Sequence, residues 1–197
     1  MRKLVKMSFV LLFMLVLGAC SSGGFKADHH YKIEPFAFTN QLNEEVTLED
    51  LKGEVWLAQF VFSNCTTVCG PMMYNMAELQ DELIDEKIED YKIVSFTVDP
   101  KFDTPDVLKE YLDRFGATDE SKWEMLTGFS QEEISDIANN SFKTVVIDDP
   151  NSDQVTHGTA FYLVDQEGEV VKSYSGTEDV PVDNIVQDME ALIKEGA

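Results

Sequence analysis

Basic residues are scarce in this chain: 15 Lys and Arg stand against 37 Asp and Glu over 197 residues, a formal charge of −22. Nucleic-acid binding needs a basic footprint that displaces counterions from phosphates, so that class of function is excluded. An acidic surface is first of all a solvated one, and beyond that it attracts basic partners or cations. Side chains that bind soft metals are few as well, with three cysteines and three histidines. Internal repeats, low-complexity blocks and a second linker are absent, so one folding unit follows the N-terminal segment. The acidic stretch from Asp148 to Gln154 does not make a calcium loop. With Asp149 as first ligand, Gln154 falls where the turn glycine belongs and Ala160 where the bidentate glutamate belongs.

No apolar run is long enough to span a bilayer comfortably as a mature helix. The stretch from Phe9 to Leu17 is apolar and follows Arg2, Lys3 and Lys6, the pattern of a signal peptide over residues 1–19. It ends in Leu17-Gly18-Ala19-Cys20, which resembles the bacterial lipobox, where the cysteine takes diacylglycerol and becomes the new N-terminus. Two or more acyl chains, palmitate among them, would hold the protein on the extracytoplasmic face of the membrane without a spanning helix. The other reading is a plain signal peptide cut near Ala19, with Cys20 incidental. Residues 20–33 read as a flexible tether in which His29 and His30 are solvated, and residues 34–197 as the domain. Without the signal, 178 residues remain, enough for a full core, with a formal charge of −25.

With Cys20 assigned to lipid, one cysteine pair is left, Cys65 and Cys69. Outside the cytoplasm such a pair can be oxidised, so disulfide chemistry is permitted. The apolar run 54–63, bounded by Gly53 and Asn64, reads as a buried strand. After the cysteines, Met72, Met73, Met76, Leu79, Leu83 and Ile84 recur at helical spacing, so the methionines read as core filling rather than as copper ligands. Residues 91–100 read as a second strand stopped by Pro100. Residues 104–116 read as a helix with Thr104 as N-cap and Pro105 at its first position. A strand at 123–128 and a helix at 130–140 with a Ser130–Glu133 capping box follow. Residues 142–149 and 158–176 read as further strands, the latter a hairpin turning at Gln166–Gly168, and 182–196 as a closing helix. The order predicts an α/β fold: a central mixed sheet flanked by helices, with extra N-terminal structure at 36–54 and a C-terminal hairpin plus helix. That is the thioredoxin-like arrangement.

Cys65 and Cys69 then lie where a central strand ends and a helix begins. Unpaired backbone N–H groups and the helix dipole lower a thiol pKa there, and the thiolate is both nucleophile and metal ligand. A spacing of four predicts two sulfurs on one face of a first helical turn. A purely structural disulfide would close a very small loop, which gains little from closure. A catalytic dithiol is usually C-x-x-C, one residue shorter. A metal site needs a further ligand, and His157 is placed to supply it. It begins the strand segment at 158, whose leading loop faces the cysteine turn in a thioredoxin-like fold, where thioredoxins carry a cis-proline. Two thiolates and an imidazole form a soft donor set that suits Cu(I) or Cu(II), whereas structural zinc would want a fourth firm ligand.

These residues resemble the Sco/SenC family of copper-binding, thioredoxin-like proteins of respiratory membranes. The resemblance is carried by "CTTVC" with a proline close behind, by "VDPKFDTPDVLKEY" and by "HGTAFYLVDQEG", and it covers essentially the whole domain. One departure is Gly70, which stands between the second cysteine and Pro71 where the family usually has proline directly. A lipid anchor would replace the spanning helix common elsewhere in the family.

The resemblance implies assembly of cytochrome c oxidase, specifically of the dinuclear copper centre on subunit II. Cys65, Cys69 and His157 would be the copper ligands of a metallochaperone. Asp99 would lie near the site and modulate it; its other reading is to cap the strand end before Pro100. The competing function is a thiol–disulfide oxidoreductase that reduces the oxidase's copper-site cysteines through a mixed disulfide, and any enzymatic activity would be of that kind. A thiol peroxidase fits the fold and not the residues, because Ala58 and Phe62 occupy the positions of its proline and threonine.

Overall fold

Strand β4 (Val55–Val61) organises the molecule, and every one of its residues is buried. In a computed structural model of the protein, which describes residues 24–149 and 151–196, it sits inside a six-stranded sheet of order β1-β10-β9-β4-β5-β6. β5 (Tyr91–Thr97) and β6 (Trp123–Leu126) continue it in parallel on one side. On the other side β9 (Ala160–Val164) pairs antiparallel with β4, then β10 (Glu169–Ser175) and β1 (Tyr31–Lys32) complete the sheet. A strand covered on both faces has no polar side to alternate with, which is why 55–61 reads as a nearly continuous apolar run.

Both faces are covered. α1 (Cys69–Asp85) lies on the face of Leu57 and Gln59, where Gln59 Nε2 donates to the Met73 sulfur, and α4 (Val182–Gly196) packs beside it. The Met72, Met73 and Met76 side chains are fully buried, as core residues. On the opposite face Phe60, Phe96 and Tyr162 meet Phe142, the residue that caps α3 (Gln131–Ser141). The N-terminal hairpin, β2 (Ala37–Thr39) with β3 (Glu45–Thr47), extends this layer through Phe36 and Phe38. α2 (Pro105–Asp113) connects β5 to β6, with Thr104 accepting from the Val107 N–H, and the Ser130–Glu133 capping box opens α3. The hairpin between β9 and β10 turns at Gly168, whose φ of +79° is open to glycine at little cost.

Two expectations change. Residues 142–149 are not a strand of the central sheet: Phe142 is drawn into the aromatic layer and Lys143 takes a left-handed conformation (φ 55°), so extended structure is confined to β7 (Val146–Asp148). β7 pairs with β8 (Val155–His157) as a separate two-stranded ribbon, and His157 ends that ribbon instead of leading directly into β9. The tether does not run to residue 33. The Phe25 N–H donates to Glu195, the Asp28 and His29 N–H groups donate to the Val171 carbonyl, and Tyr31 and Lys32 join the sheet. His29 stacks on Tyr31 at 4.9 Å and so is not a free spacer residue. The chain therefore enters beside the end of α4, at the pole where Gly53 meets Gln166 and opposite the cysteines. The proposed signal and Cys20 lie outside the described residues. Among those described, no helix is long and apolar enough to cross a membrane.

Phe96 touches Phe36, Phe60 and Phe142 and is fully buried. Phe96→Ala is expected to destabilise the domain by about 3–5 kcal/mol in urea unfolding; a loss below about 1 kcal/mol would contradict this aromatic layer as a shared core.

Candidate metal centre

Where β4 ends, the chain is fixed before it reaches the cysteines. Ser63 donates through both its N–H and its hydroxyl to the carboxylate of Asp103, which also accepts from the Thr97 hydroxyl at the end of β5. Asp103 is fully buried, and burial, the largest influence, holds its carboxyl above the usual range despite these hydrogen bonds. Cys65 follows in a turn, its N–H donating to the Phe62 carbonyl at 3.3 Å. The helix begins only at Cys69, so the two cysteines do not share a helical turn. Their sulfurs are brought together by the turn. Pro71 falls within the first helical residues, where its missing N–H costs no intrahelical bond. Gly70 has open space around the position of a Cβ, so packing does not demand a glycine there.

Val68, at the N-cap, supplies no side-chain cap, and the Cys69 N–H donates instead to the Cys65 sulfur at 3.4 Å. The Cys65 thiol is held down to about 3, first by its hydrogen bond with the Cys69 side chain and then by His157 and the backbone of Thr67 and Cys69, against the opposing pull of burial. Cys69, itself fully buried, is pushed far above its ordinary value by the same hydrogen bond between the two thiols and by burial. The pair behaves as one site that gives up a first proton readily and resists losing the second.

His157 reaches the pair from the end of β8, with Nε2 3.2 Å from the Cys69 sulfur. Its Nδ1 lies 2.8 Å from the Gly158 carbonyl. A carbonyl only accepts, so Nδ1 carries the hydrogen and the Nε2 lone pair faces sulfur. The Phe62 ring meets the imidazole edge-on at 5.9 Å. Gly158 is needed in this bend: a Cβ there would sit 2.0 Å from the Thr144 hydroxyl. The ribbon that carries His157 is fastened to the cysteine turn by side chains. Asn64 Nδ2 donates to Asp153 at 2.9 Å, Gln154 Nε2 donates to the Asn64 carbonyl at 3.1 Å, and the Thr66 N–H donates to Gln154 Oε1 at 3.4 Å.

One donor atom each from Cys65, Cys69 and His157 lies within 4.8 Å of the others. The structure thus brings these three predicted residues together. It does not bring Asp99 among them. That carboxylate accepts from the Phe102 N–H at 3.3 Å, closing a turn, and lines a neighbouring cleft of about 650 Å³ with Phe102, Phe129 and Asp153. Two residues were missed by sequence reasoning. Asp103 stood in the quoted "VDPKFDTP" segment, where its acidic type gave no sign of burial, and Gln154 carried no signal at all.

A thioredoxin-like sheet with two thiols after its central strand, an imidazole facing them and no cis peptide among the described residues defines a dithiol–imidazole variant of that fold. The sequence profile described as SCO1/SenC matches residues 26–194, and the chain belongs to that family. It is 45% identical to a SCO1/SenC family lipoprotein from Bacillus anthracis, whose crystal structure superposes with a TM-score of 0.79 over 83% of this chain and 95% of that one. BsSco, described in its structure as having a disulfide switch and as a member of the Sco family of cytochrome c oxidase assembly proteins, is 44% identical. Its TM-score is 0.79 over 86% of this chain and 97% of that one. Yeast Sco1 with copper bound is 27% identical, with a TM-score of 0.67 over 81% of this chain and 89% of that one.

With the Cys65 thiol held down to about 3, its thiolate is expected to be present across pH 5–7. Iodoacetamide should therefore modify Cys65 at a rate that changes less than about twofold between pH 5 and 7, where an ordinary thiol rises about a hundredfold. Cys69 should stay unmodified. A steep rise for Cys65 over that interval would remove the shared-proton description.

Proposed function

We propose that this protein is a membrane-attached, copper-binding assembly factor for cytochrome c oxidase, which carries copper as cargo on Cys65, Cys69 and His157 and passes it by ligand exchange to the dinuclear centre of subunit II. The carrying observation is the convergence of two sulfurs and one imidazole nitrogen within 4.8 Å. The donor set fits the ion. Thiolates are soft, the Nε2 lone pair already faces them, and three donors without a fourth firm one suit copper better than structural zinc. The half-buried Cys65 lies at the opening of the site, where an incoming ligand can reach it first. Copper in yeast Sco1 and the assembly role stated for the BsSco family support the reading.

A second reading rests on the sulfur pair itself: a thiol–disulfide oxidoreductase acting on the oxidase's copper-site cysteines. The Cys65 thiolate would attack one sulfur of a partner disulfide and expel the other as thiolate. Cys69, passing its proton toward His157 Nε2, would then attack the Cys65 sulfur and release the partner as a dithiol. Two electrons leave this chain, which ends with a Cys65–Cys69 disulfide. The disulfide switch described for BsSco favours giving this reading weight.

For attachment, Leu17 to Cys20 is the proposed lipidation site, and residues 1–19 the proposed signal. Because the described chain enters at the pole opposite the cysteines, an anchor there holds the copper site away from the lipid surface. The Bacillus anthracis relative is itself described as a lipoprotein.

The first test titrates Cu(II) anaerobically into the reduced chain from Ser21 and into His157→Ala, with visible absorption and EPR. A one-to-one complex with intense thiolate-to-copper bands, stable in the first and lost in the second, is expected. Rapid oxidation of both to the disulfide with no lasting complex would instead make the oxidoreductase reading the correct one. For the anchor, Cys20→Ser in cells is expected to move the protein from the membrane to the soluble fraction; unchanged membrane partition would sink the lipidation site.

A further inference from the structure

We infer that Gln154 is a positioning residue that holds the His157 ribbon in register with the Cys65 backbone, an inference that rests on the copper-site reading above. β7 and β8 form a two-stranded ribbon outside the central sheet, and such a ribbon has little stability of its own. β7 is tied to α3, through Ser135, whose hydroxyl donates to the Val146 carbonyl. Apart from the contact of His157 itself with Cys69, β8 has no comparable tie among the described residues. Among the described residues, every hydrogen bond between the stretch 151–157 and the cysteine turn comes from Asp153, Gln154 or His157 itself. His157 cannot position itself, and the Asp153 contact reaches only the Asn64 side chain.

Gln154 differs from both, because its one amide grips the backbone on either side of Cys65. Nε2 donates to the carbonyl of Asn64, and Oε1 accepts from the N–H and hydroxyl of Thr66. Nε2 also donates to the Asp153 carboxylate at 3.2 Å. The chemistry calls for an amide. A carboxylate at 154 would keep the acceptor but lose the donor, and would place a second negative charge against Asp153. An alanine would lose both. Only two residues separate Gln154 from His157, so any drift of the ribbon moves Nε2 relative to the sulfurs, while the core strands stay in place.

The test uses the full chain in detergent micelles with Cu(II) alone as probe, and compares Gln154→Ala, Gln154→Glu and Asn64→Ala. Gln154→Ala is expected to lose copper to a chelator about tenfold faster, with a shifted thiolate-to-copper band and an unchanged unfolding midpoint. Gln154→Glu should fall between it and wild type. Asn64→Ala, which removes the Asp153 contact and leaves both backbone contacts of Gln154, should match wild type. In the metal-free reduced protein, amide exchange over 155–157 should speed up in Gln154→Ala while β9 is unchanged. Gln154→Ala that matches wild type in both copper release and exchange overturns the inference, as does equal loss in Asn64→Ala. If wild type holds no copper the copper-carrying reading fails by itself, and the exchange comparison alone decides for or against the clasp.

Discussion

The antiparallel pairing of β4 with β9 is the constraint on which the site depends. Its register sets Trp56 against Val164 and Ala58 against Tyr162, so the start of β9 lies beside the end of β4. Whatever precedes β9 must therefore arrive where the cysteines leave β4. In thioredoxins that junction carries a cis-proline; here it carries His157 and Gly158. The pairing is secured by burial of both strands, and burial of this kind is non-directional. Hydrophobic packing thus places the imidazole near the sulfurs, and short-range polar contacts set its orientation.

Those polar contacts divide into buried and exposed groups. Asp103, fully buried and accepting from Ser63 and Thr97, locks the first residues after β4 to the end of β5. A buried carboxylate without a cation is costly, and it is tolerated here because its hydrogen bonds are made. The ribbon side is held by solvent-accessible amides and carboxylates, which are individually weak. One wall of the site is thereby anchored in the core, and the other is held by contacts nearer the surface.

The two sulfurs differ for equally local reasons. Cys65 sits half-exposed before the helix and accepts the first helical N–H, whereas Cys69 is buried inside the first turn. Equal residue types are thus given unequal chemistry by a displacement of four positions across a helix boundary. The half-buried thiol of Cys65 is the accessible one of the pair, and that of Cys69 is enclosed.

Much of this was legible in the sequence because it depends on local chemistry. Apolar runs marked the buried strands, Thr104-Pro105 and Ser130–Glu133 marked helix starts, and the scarcity of histidine left His157 as a third donor. The misreadings share one cause. Residues 142–149 look strand-like in isolation, yet whether Phe142 extends a strand or caps a helix depends on a cavity made by Phe60, Phe96 and Tyr162, which are distant in sequence. The N-terminal stretch through His29 looks like spacer until β10 offers it an unpaired edge. Asp103 and Gln154 are ordinary polar residues whose roles exist only once remote backbone groups are brought to them. The sequence by itself determined which residues could ligate and which segments had to be buried, since side-chain chemistry and periodicity are local. Only the tertiary structure decided which donors converge and which thiol ionises, because distance, burial and hydrogen-bond partners are properties of the folded chain.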